Sequence, residues 1–120
     1  MDSVIYISVC LSNGSIRLFK ETVRSLDTPK YVRFYINVEK SLLAVAPYHK
    51  NSFKSHKIPK NLYTDNGAMV IYSKMFCEIL YRQMNWNRDM LYRVPGETLP
   101  EEKIAVFDLI KAKAYNDCDF

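Results

Sequence analysis

The side chains best suited to chemistry in this 120-residue chain are cations that fall beside predicted strands and helices. They are Arg17, Lys20, Arg24 and Arg33 in the first half and Lys74, Arg82 and Arg93 in the second. Cations at outward positions of neighbouring elements can neutralise phosphates and release counterions, so this pattern favours a nucleic-acid-binding surface. Ordinary solvated charges on half-buried strands give the same pattern, and that interpretation stays open.

Aromatic residues flank one of these cations, because Tyr31 and Tyr35 lie on either side of Arg33. Aromatic faces can stack on unpaired bases or on a partner protein. Tyrosine is also common in strands for packing reasons alone. Trp86 is open to two interpretations in the same way, as an interface anchor or as a core residue beneath the second helix.

Residues 48–61 form a basic segment that could follow a phosphate backbone or serve as a solubilising linker. Its cations and histidines are Lys50, Lys54, Lys57, Lys60, His49 and His56. The two histidines are seven residues apart without a neighbouring acid or cysteine, so we expect no metal site.

The sequence contains no catalytic signature. A nucleophile paired with a base, carboxylates in an apolar setting and a phosphate-binding glycine loop are all lacking, so we expect neither an enzyme nor a bound cofactor. The cysteines, Cys10, Cys77 and Cys118, are far apart and odd in number. This spacing predicts reduced and mostly buried thiols.

Charge is divided unevenly along the chain. Residues 1–94 hold 14 Lys and Arg against 7 Asp and Glu, whereas residues 95–120 hold 3 against 6. A basic body with an acidic tail permits an anionic partner. The sequence contains no apolar stretch approaching the roughly 18 residues that cross a bilayer, and the N-terminal run does not resemble a secretory signal, so we expect a cytoplasmic protein without a membrane partner.

Alternating hydrophobicity predicts a strand over 4–11, a turn at Asn13-Gly14 and a second strand from Ile16. A short helix follows at 20–26, then strands over 31–37 and 42–46. After the basic segment the same order recurs, with a turn at Asn66-Gly67, a strand over 68–72, and a helix that Ser73 caps and residues 85–87 stop. Strands at 90–94 and 103–109 flank an acidic turn, and residues 110–120 form a tail.

The recurrence predicts one domain over 1–120 that contains an internal repeat, 1–47 and 62–109, joined by the linker 48–61. Each unit reads strand, helix, strand, strand, which makes the fold class α+β and mainly β. Because one unit cannot bury both of its faces, the simplest architecture packs the two copies about a pseudo-two-fold axis.

The first unit resembles the AbrB/MazE/SpoVT swapped-hairpin family of DNA-binding proteins. The resemblance rests on the glycine-led strand 14–20, the short helix with Glu21 and Arg24 that ends at Leu26, and the hairpin over 32–45. Family membership would imply two swapped-hairpin-like units that interleave into one small barrel. The barrel would form within a monomer or across a homodimer.

This resemblance implies a small DNA-binding transcriptional regulator or antitoxin-like protein, with double-stranded DNA as partner and the seven cations above as contacts. The alternative is a non-catalytic protein-interaction module that keeps the barrel without DNA binding. That alternative predicts a contiguous exposed apolar patch in place of a basic face.

Overall fold

The computed structural model describes residues 5–52, 54–60, 62 and 67–116. These residues form one antiparallel sheet of nine strands with two helices, and eight of the strands make a nearly closed barrel. The elements are β1 (Ile5–Cys10), β2 (Ser15–Phe19), α1 (Lys20–Ser25), β3 (Tyr31–Asn37), β4 (Leu42–Tyr48), β5 (His56–Lys57), β6 (Ala68–Tyr72), α2 (Lys74–Met84), β7 (Leu91–Leu99), β8 (Ile104–Asp108) and β9 (Lys113–Tyr115).

The barrel strands follow the order β5-β3-β4-β8-β7-β1-β2-β6, and β9 pairs with β7 outside this path. Alternation places one face of each strand inside. Ile7, Val9, Ile16 and Leu18 of the first hairpin are each fully buried, and Phe107 joins them from β8. The prediction of a mainly β protein with two helices is therefore confirmed.

The first hairpin turns where the sequence predicts it. Gly14 has a φ of +62° and donates its N–H to the Leu11 carbonyl at 3.0 Å. A side chain at this left-handed φ would be strained, and a Cβ on Gly14 would also meet Lys74 at 3.2 Å. Glycine therefore allows the start of α2 to approach this turn.

Strand β7 is longer than predicted, because it runs through the segment expected to be an acidic turn. Its first part pairs with β1 up to Gly96, and its second part pairs with β8 from Gly96 onward. A Cβ on Gly96 would lie 2.5 Å from Phe107 Cδ1 and 2.5 Å from the Val106 oxygen. The absence of a side chain at Gly96 lets the strand pass from one partner to the other.

The predicted linker and tail both contribute to the fold. In the linker, β5 pairs with β3 and Ile58 is buried in the core, as is Leu62 directly after the linker. The tail begins with a 3-10 turn over Leu109–Lys111 and continues as β9, which pairs Lys113 with Arg93. Short strands of two and three residues have too little periodicity to stand out in a sequence.

Helix α2 begins and ends as predicted. The Ser73 hydroxyl accepts a hydrogen bond from the Phe76 N–H, and Asn85 ends the helix in a left-handed conformation. Cys77, Leu80 and Tyr81 of this helix face the core, whereas Ile79 is exposed. Among the described residues no helix is long and apolar enough to cross a membrane.

The expectation of three reduced cysteines is wrong for Cys10, which is disulfide-bonded. Cys77 is a buried free thiol, as predicted. Cys118 lies outside the described residues, as does Asn66 of the second predicted turn. Separation along the chain does not show which cysteines approach each other in space, so this bond left no signal in the sequence.

Candidate nucleic-acid interface

Three cations form one cross-strand row on the outer face of the sheet. The pairing places Arg17 of β2 opposite Ser8 of β1, Ser8 opposite Arg93 of β7, and Arg93 opposite Lys113 of β9. Since neighbouring strands are about 4.8 Å apart, the Arg17 and Arg93 backbones are separated by about 10 Å and Arg93 and Lys113 by about 5 Å. Side chains of one row point to the same side of a sheet.

Aromatic residues flank this row. The Arg93 guanidinium carbon lies 5.7 Å from the ring centre of Tyr6 and 5.7 Å from that of Tyr115. The Arg17 guanidinium lies 5.7 Å from the Phe19 ring. Guanidinium groups at these distances are attracted by the ring quadrupole, which favours one orientation of each long side chain.

Two cavities open on either side of Tyr6 and Arg93. The larger has a volume of about 550 Å³, and its lining residues are Tyr6, Arg93, Pro95, Lys111, Lys113 and Tyr115. The smaller, of about 300 Å³, is lined by Phe19, Glu21 and Thr22 in addition to Ile5, Tyr6 and Arg93. The larger cavity thus has cations without an acid among its described lining residues, while the smaller one has the carboxylate of Glu21.

We define the Arg93 face as the outward residues Tyr6, Arg17, Arg93, Lys111, Lys113 and Tyr115. Arg93, Lys111 and Lys113 form no ion pair with any carboxylate in the described part of the chain. Three cations with no carboxylate partner among the described residues give this face a positive potential, which concentrates anions from solution.

A second arginine lies on another part of the barrel. Arg33 of β3 has its guanidinium carbon 5.2 Å from the Tyr35 ring centre and 4.8 Å from that of Tyr48. We define the Arg33 face as the outward residues Tyr31, Arg33, Tyr35, Tyr48 and Lys57. In the eight-strand order β3 and β1 are four positions apart, so the two faces lie on opposite sides of the barrel.

The structure therefore divides the seven predicted contact residues. Arg17 and Arg93 lie together on the Arg93 face, and Arg33 lies across the barrel. Lys20 begins α1 next to Gly67, where its side chain would meet a Cβ at 3.2 Å. Arg24 lies in the last turn of the same helix.

The two predicted cations on α2 already have partners. The Lys74 ammonium donates a hydrogen bond to the Leu11 carbonyl at 2.7 Å and so ties the start of the helix to the first turn. The Arg82 Nε lies 3.5 Å from Glu78 Oε2. Glu78 also accepts hydrogen bonds from both terminal nitrogens of Arg88, which lowers the pKa of this carboxyl.

Sequence reasoning missed Lys111, Lys113, Tyr6 and Tyr115 as members of the site. Lys113-Ala114-Tyr115 is too short for its alternation to indicate a strand in the sequence. Pairing of this segment with β7 depends on three-dimensional contacts, which alternation alone does not specify. Trp86, by contrast, is half-buried and packs against the core, as one of the two interpretations predicts, with its ring stacked 4.3 Å from that of Tyr92.

The buried ionisable groups are held neutral. Burial raises the pKa of the Cys77 thiol to about 11, so this sulfur is protonated and weakly nucleophilic at neutral pH. Burial likewise raises the pKa of Tyr81 to about 12. No group of three or more His, Cys, Asp or Glu side chains that could hold a metal ion occurs among the residues described.

Fold and site together define a small antiparallel β-barrel with a basic outer face that aromatic residues flank. No protein-family model matches the chain, and neither do any curated proteins or solved structures. The Arg93 face is therefore the feature from which we infer a function.

Proposed function

We propose that this protein is a small DNA-binding regulator that holds the phosphate backbone on its Arg93 face. The observation that supports this most is the cross-strand row that brings Arg17, Arg93 and Lys113 to one side of the sheet. Cations fixed on a rigid sheet are already oriented, so less entropy is lost when a phosphate binds.

Each cation has a distinct role in this proposal. Arg93 presents planar donors that suit two phosphate oxygens at once, and the rings of Tyr6 and Tyr115 orient it. Lys113 and Lys111 act as mobile point charges beside it. Because phosphate contacts are independent of sequence, this face would position DNA and discriminate little between bases.

We also propose that the two halves are swapped-hairpin-like units related by a pseudo-two-fold axis. In support, β2 and β6 pair over five residues each, with Arg17 opposite Val70 at the centre. The pairs at the two ends, Ser15 with Tyr72 and Phe19 with Ala68, exchange on rotation about that centre. Six of the seven neighbour pairs in the strand order are also preserved when β1 is exchanged with β5, β2 with β6, β3 with β7 and β4 with β8, the exception being β1 with β2.

Two backbone hydrogen bonds support the same relation. The Ser73 N–H donates to the Gly14 carbonyl at 2.8 Å, and the Lys20 N–H donates to the Gly67 carbonyl at 2.8 Å. Each joins the start of one helix to the turn of the other unit. In this proposal one chain supplies both units, so sedimentation should give a monomer of 14.1 kDa. A stable dimer would contradict this part of the proposal.

The test of DNA binding is fluorescence anisotropy with a labelled duplex over a salt series. Two matched double variants each remove two cations, Arg93→Ala with Lys113→Ala on one face and Arg33→Ala with Lys57→Ala on the other. Since each phosphate contact contributes about 0.9 to the slope of log affinity against log salt, the first variant should lower that slope by about 2. The second should leave it unchanged.

Equal effects of the two double variants would show that only total charge matters, and the proposed face would be wrong. An unfolding midpoint close to that of the wild type establishes that each variant is folded. Absence of binding by the wild-type protein at low salt would remove the DNA-binding proposal altogether.

One observation favours the second candidate, a protein-interaction module. Tyr72 and Ile79 are exposed near the start of α2, and Met75 between them is 77% exposed. Neighbouring apolar side chains on a surface are typical of a protein interface. The double variant Met75→Glu with Ile79→Glu should then abolish binding of a purified partner and leave DNA affinity unchanged. If it changed neither, this second function would be ruled out.

A further inference from the structure

The larger cavity of the Arg93 face has the composition of a nucleotide site. Tyr6 and Tyr115 stand on either side of Arg93, and Lys111 and Lys113 lie in the same lining. Its volume of about 550 Å³ lies within the range of small-molecule pockets. It is therefore large enough to take one nucleotide as well as a phosphate group.

The two tyrosines leave ring surface open to a ligand, being 42% and 44% exposed for Tyr6 and Tyr115. An exposed ring beside cations is the arrangement that binds unpaired bases, because every base has a flat aromatic face and a neighbouring phosphate. In a duplex the bases are stacked on each other and their faces are covered. A site that works by stacking thus distinguishes single strands from duplexes.

We propose that this cavity binds one unpaired nucleotide of a single-stranded segment, with its base against Tyr6 or Tyr115 and its phosphate on Lys111 and Lys113. The proposal depends on the proposed DNA binding and adds a preference for single strands. The cations attract both kinds of nucleic acid, whereas base stacking on the tyrosines adds affinity for the unpaired one alone.

The test compares three labelled probes of about 12 nucleotides, a length within the range of known single-strand sites. They are single-stranded oligo-dT, the corresponding duplex with oligo-dA, and an abasic strand that keeps the phosphates without the bases. The tested protein is the double variant Tyr6→Ala with Tyr115→Ala. The control is Tyr35→Ala, which removes a tyrosine of similar exposure, 45%, from the Arg33 face.

The double variant should bind oligo-dT roughly tenfold more weakly than the wild type, since stacking contributes about 1–3 kcal/mol per base. Its affinity for the duplex and the abasic strand should fall by a smaller factor, because these probes lose only the orientation that the two rings give to Arg93 and keep their phosphate contacts. Replacement of both tyrosines with Phe should restore oligo-dT binding, since Phe keeps the ring. Lys113→Ala should weaken binding to all three probes.

Each remaining outcome separates the two proposals. If the tyrosine variant weakened the duplex and abasic probes as much as oligo-dT, the nucleotide site would be wrong and DNA binding by the face would stand. If the tyrosine variant changed none of the three, the nucleotide site would also be wrong. If the wild type bound none of the probes, DNA binding itself would be wrong.

Discussion

Two arginines of this barrel have nearly the same immediate surroundings and different neighbours beyond them. Arg93 and Arg33 each lie within 6 Å of two tyrosine rings, on opposite sides of the barrel. Across the strands, however, Arg93 faces Lys113 and Arg33 faces Ala46. An arginine between tyrosines is thus not by itself a phosphate-binding site. The residues on the neighbouring strands determine how many cations lie together.

The two faces also differ in how they are built. The Arg93 face combines strands from the beginning, the end and the second half of the chain, because β1, β7 and β9 lie side by side. The Arg33 face uses β3, β4 and β5, which are successive in sequence. Long-range pairing produces the cluster of three cations, and a local hairpin does not.

The largest expected effect comes from Gly96, where β7 passes from its pairing with β1 to its pairing with β8. Gly96→Ala would place a Cβ 2.5 Å from Phe107 Cδ1, so β7 should lose its pairing with β8 or with β1. We expect a loss of about 3 kcal/mol in the free energy of unfolding, measured by urea denaturation. Gly14→Ala, the control, should cost about 1 kcal/mol for its left-handed φ. A Gly96→Ala protein of wild-type stability would contradict the described path of β7.

The second-largest effect concerns the Tyr81 hydroxyl, which lies beneath the Arg93 face and ties α2 to β1. The Tyr81 hydroxyl lies 3.0 Å from the Val9 carbonyl of β1 and 2.6 Å from the Met90 carbonyl, and donates its proton to these acceptors. Tyr81→Phe leaves buried carbonyls without this donor, so we expect a loss of about 2 kcal/mol of unfolding free energy.

This loss should depend on pH. Burial raises the pKa of Tyr81 from 10 to about 12, so the folded state favours the protonated hydroxyl. The stability difference between wild type and Tyr81→Phe should therefore be full below pH 10 and shrink as the pH rises towards 12. A difference that stayed constant from pH 8 to pH 11.5 would contradict the buried hydroxyl.

A smaller effect concerns His56 of β5, the strand that pairs with β3 beside the Arg33 face. The His56 ring packs 5.5 Å from that of Phe34, and burial lowers the pKa of His56 below 6.5. The folded state thus favours neutral His56, and its contribution to stability is present above pH 6.5 and lost as the pH falls below it. In urea denaturation the free energy of unfolding should be modestly lower at pH 5 than at pH 7.5. This difference should be smaller in the His56→Gln variant. The same loss in both proteins would exclude His56 as its source.

The smallest effect should come from a predicted contact residue that lies on neither face. The Arg82 side chain is 79% exposed and pairs only with Glu78 of its own helix among the described residues. Arg82→Ala should change the unfolding free energy by less than about 1 kcal/mol. DNA affinity should also be unchanged, and a severalfold loss would extend the interface onto α2.

Much of the fold followed from local sequence patterns, and the reasons are physical. The first hairpin has strict alternation and a glycine that the turn requires, and α2 has a serine cap and an asparagine stop. Such signals act within a few residues. They therefore predict the elements without their tertiary partners.

Non-local features were missed for the same reason. β7 looks like a strand followed by a turn because Pro95 and Gly96 favour turns, and the need for a bare Cα beside Phe107 arises only in the folded barrel. The candidate site was predicted in part, since Arg17 and Arg93 were chosen for charge and alternation. Arg17 and Arg93 lie beside Lys113 because β2, β1, β7 and β9 are neighbours in the sheet. Pairing between strands so far apart in the chain is not visible in a single sequence.

The most direct test of the Arg93 face is a titration of the isotope-labelled protein with a short DNA oligonucleotide, followed by NMR amide shifts. We expect the largest shift changes at Ser8, Arg17, Arg93 and Lys113, with little change at Arg33 and Tyr35. Shift changes centred on Arg33, or spread evenly over both sides of the barrel, would contradict this expectation.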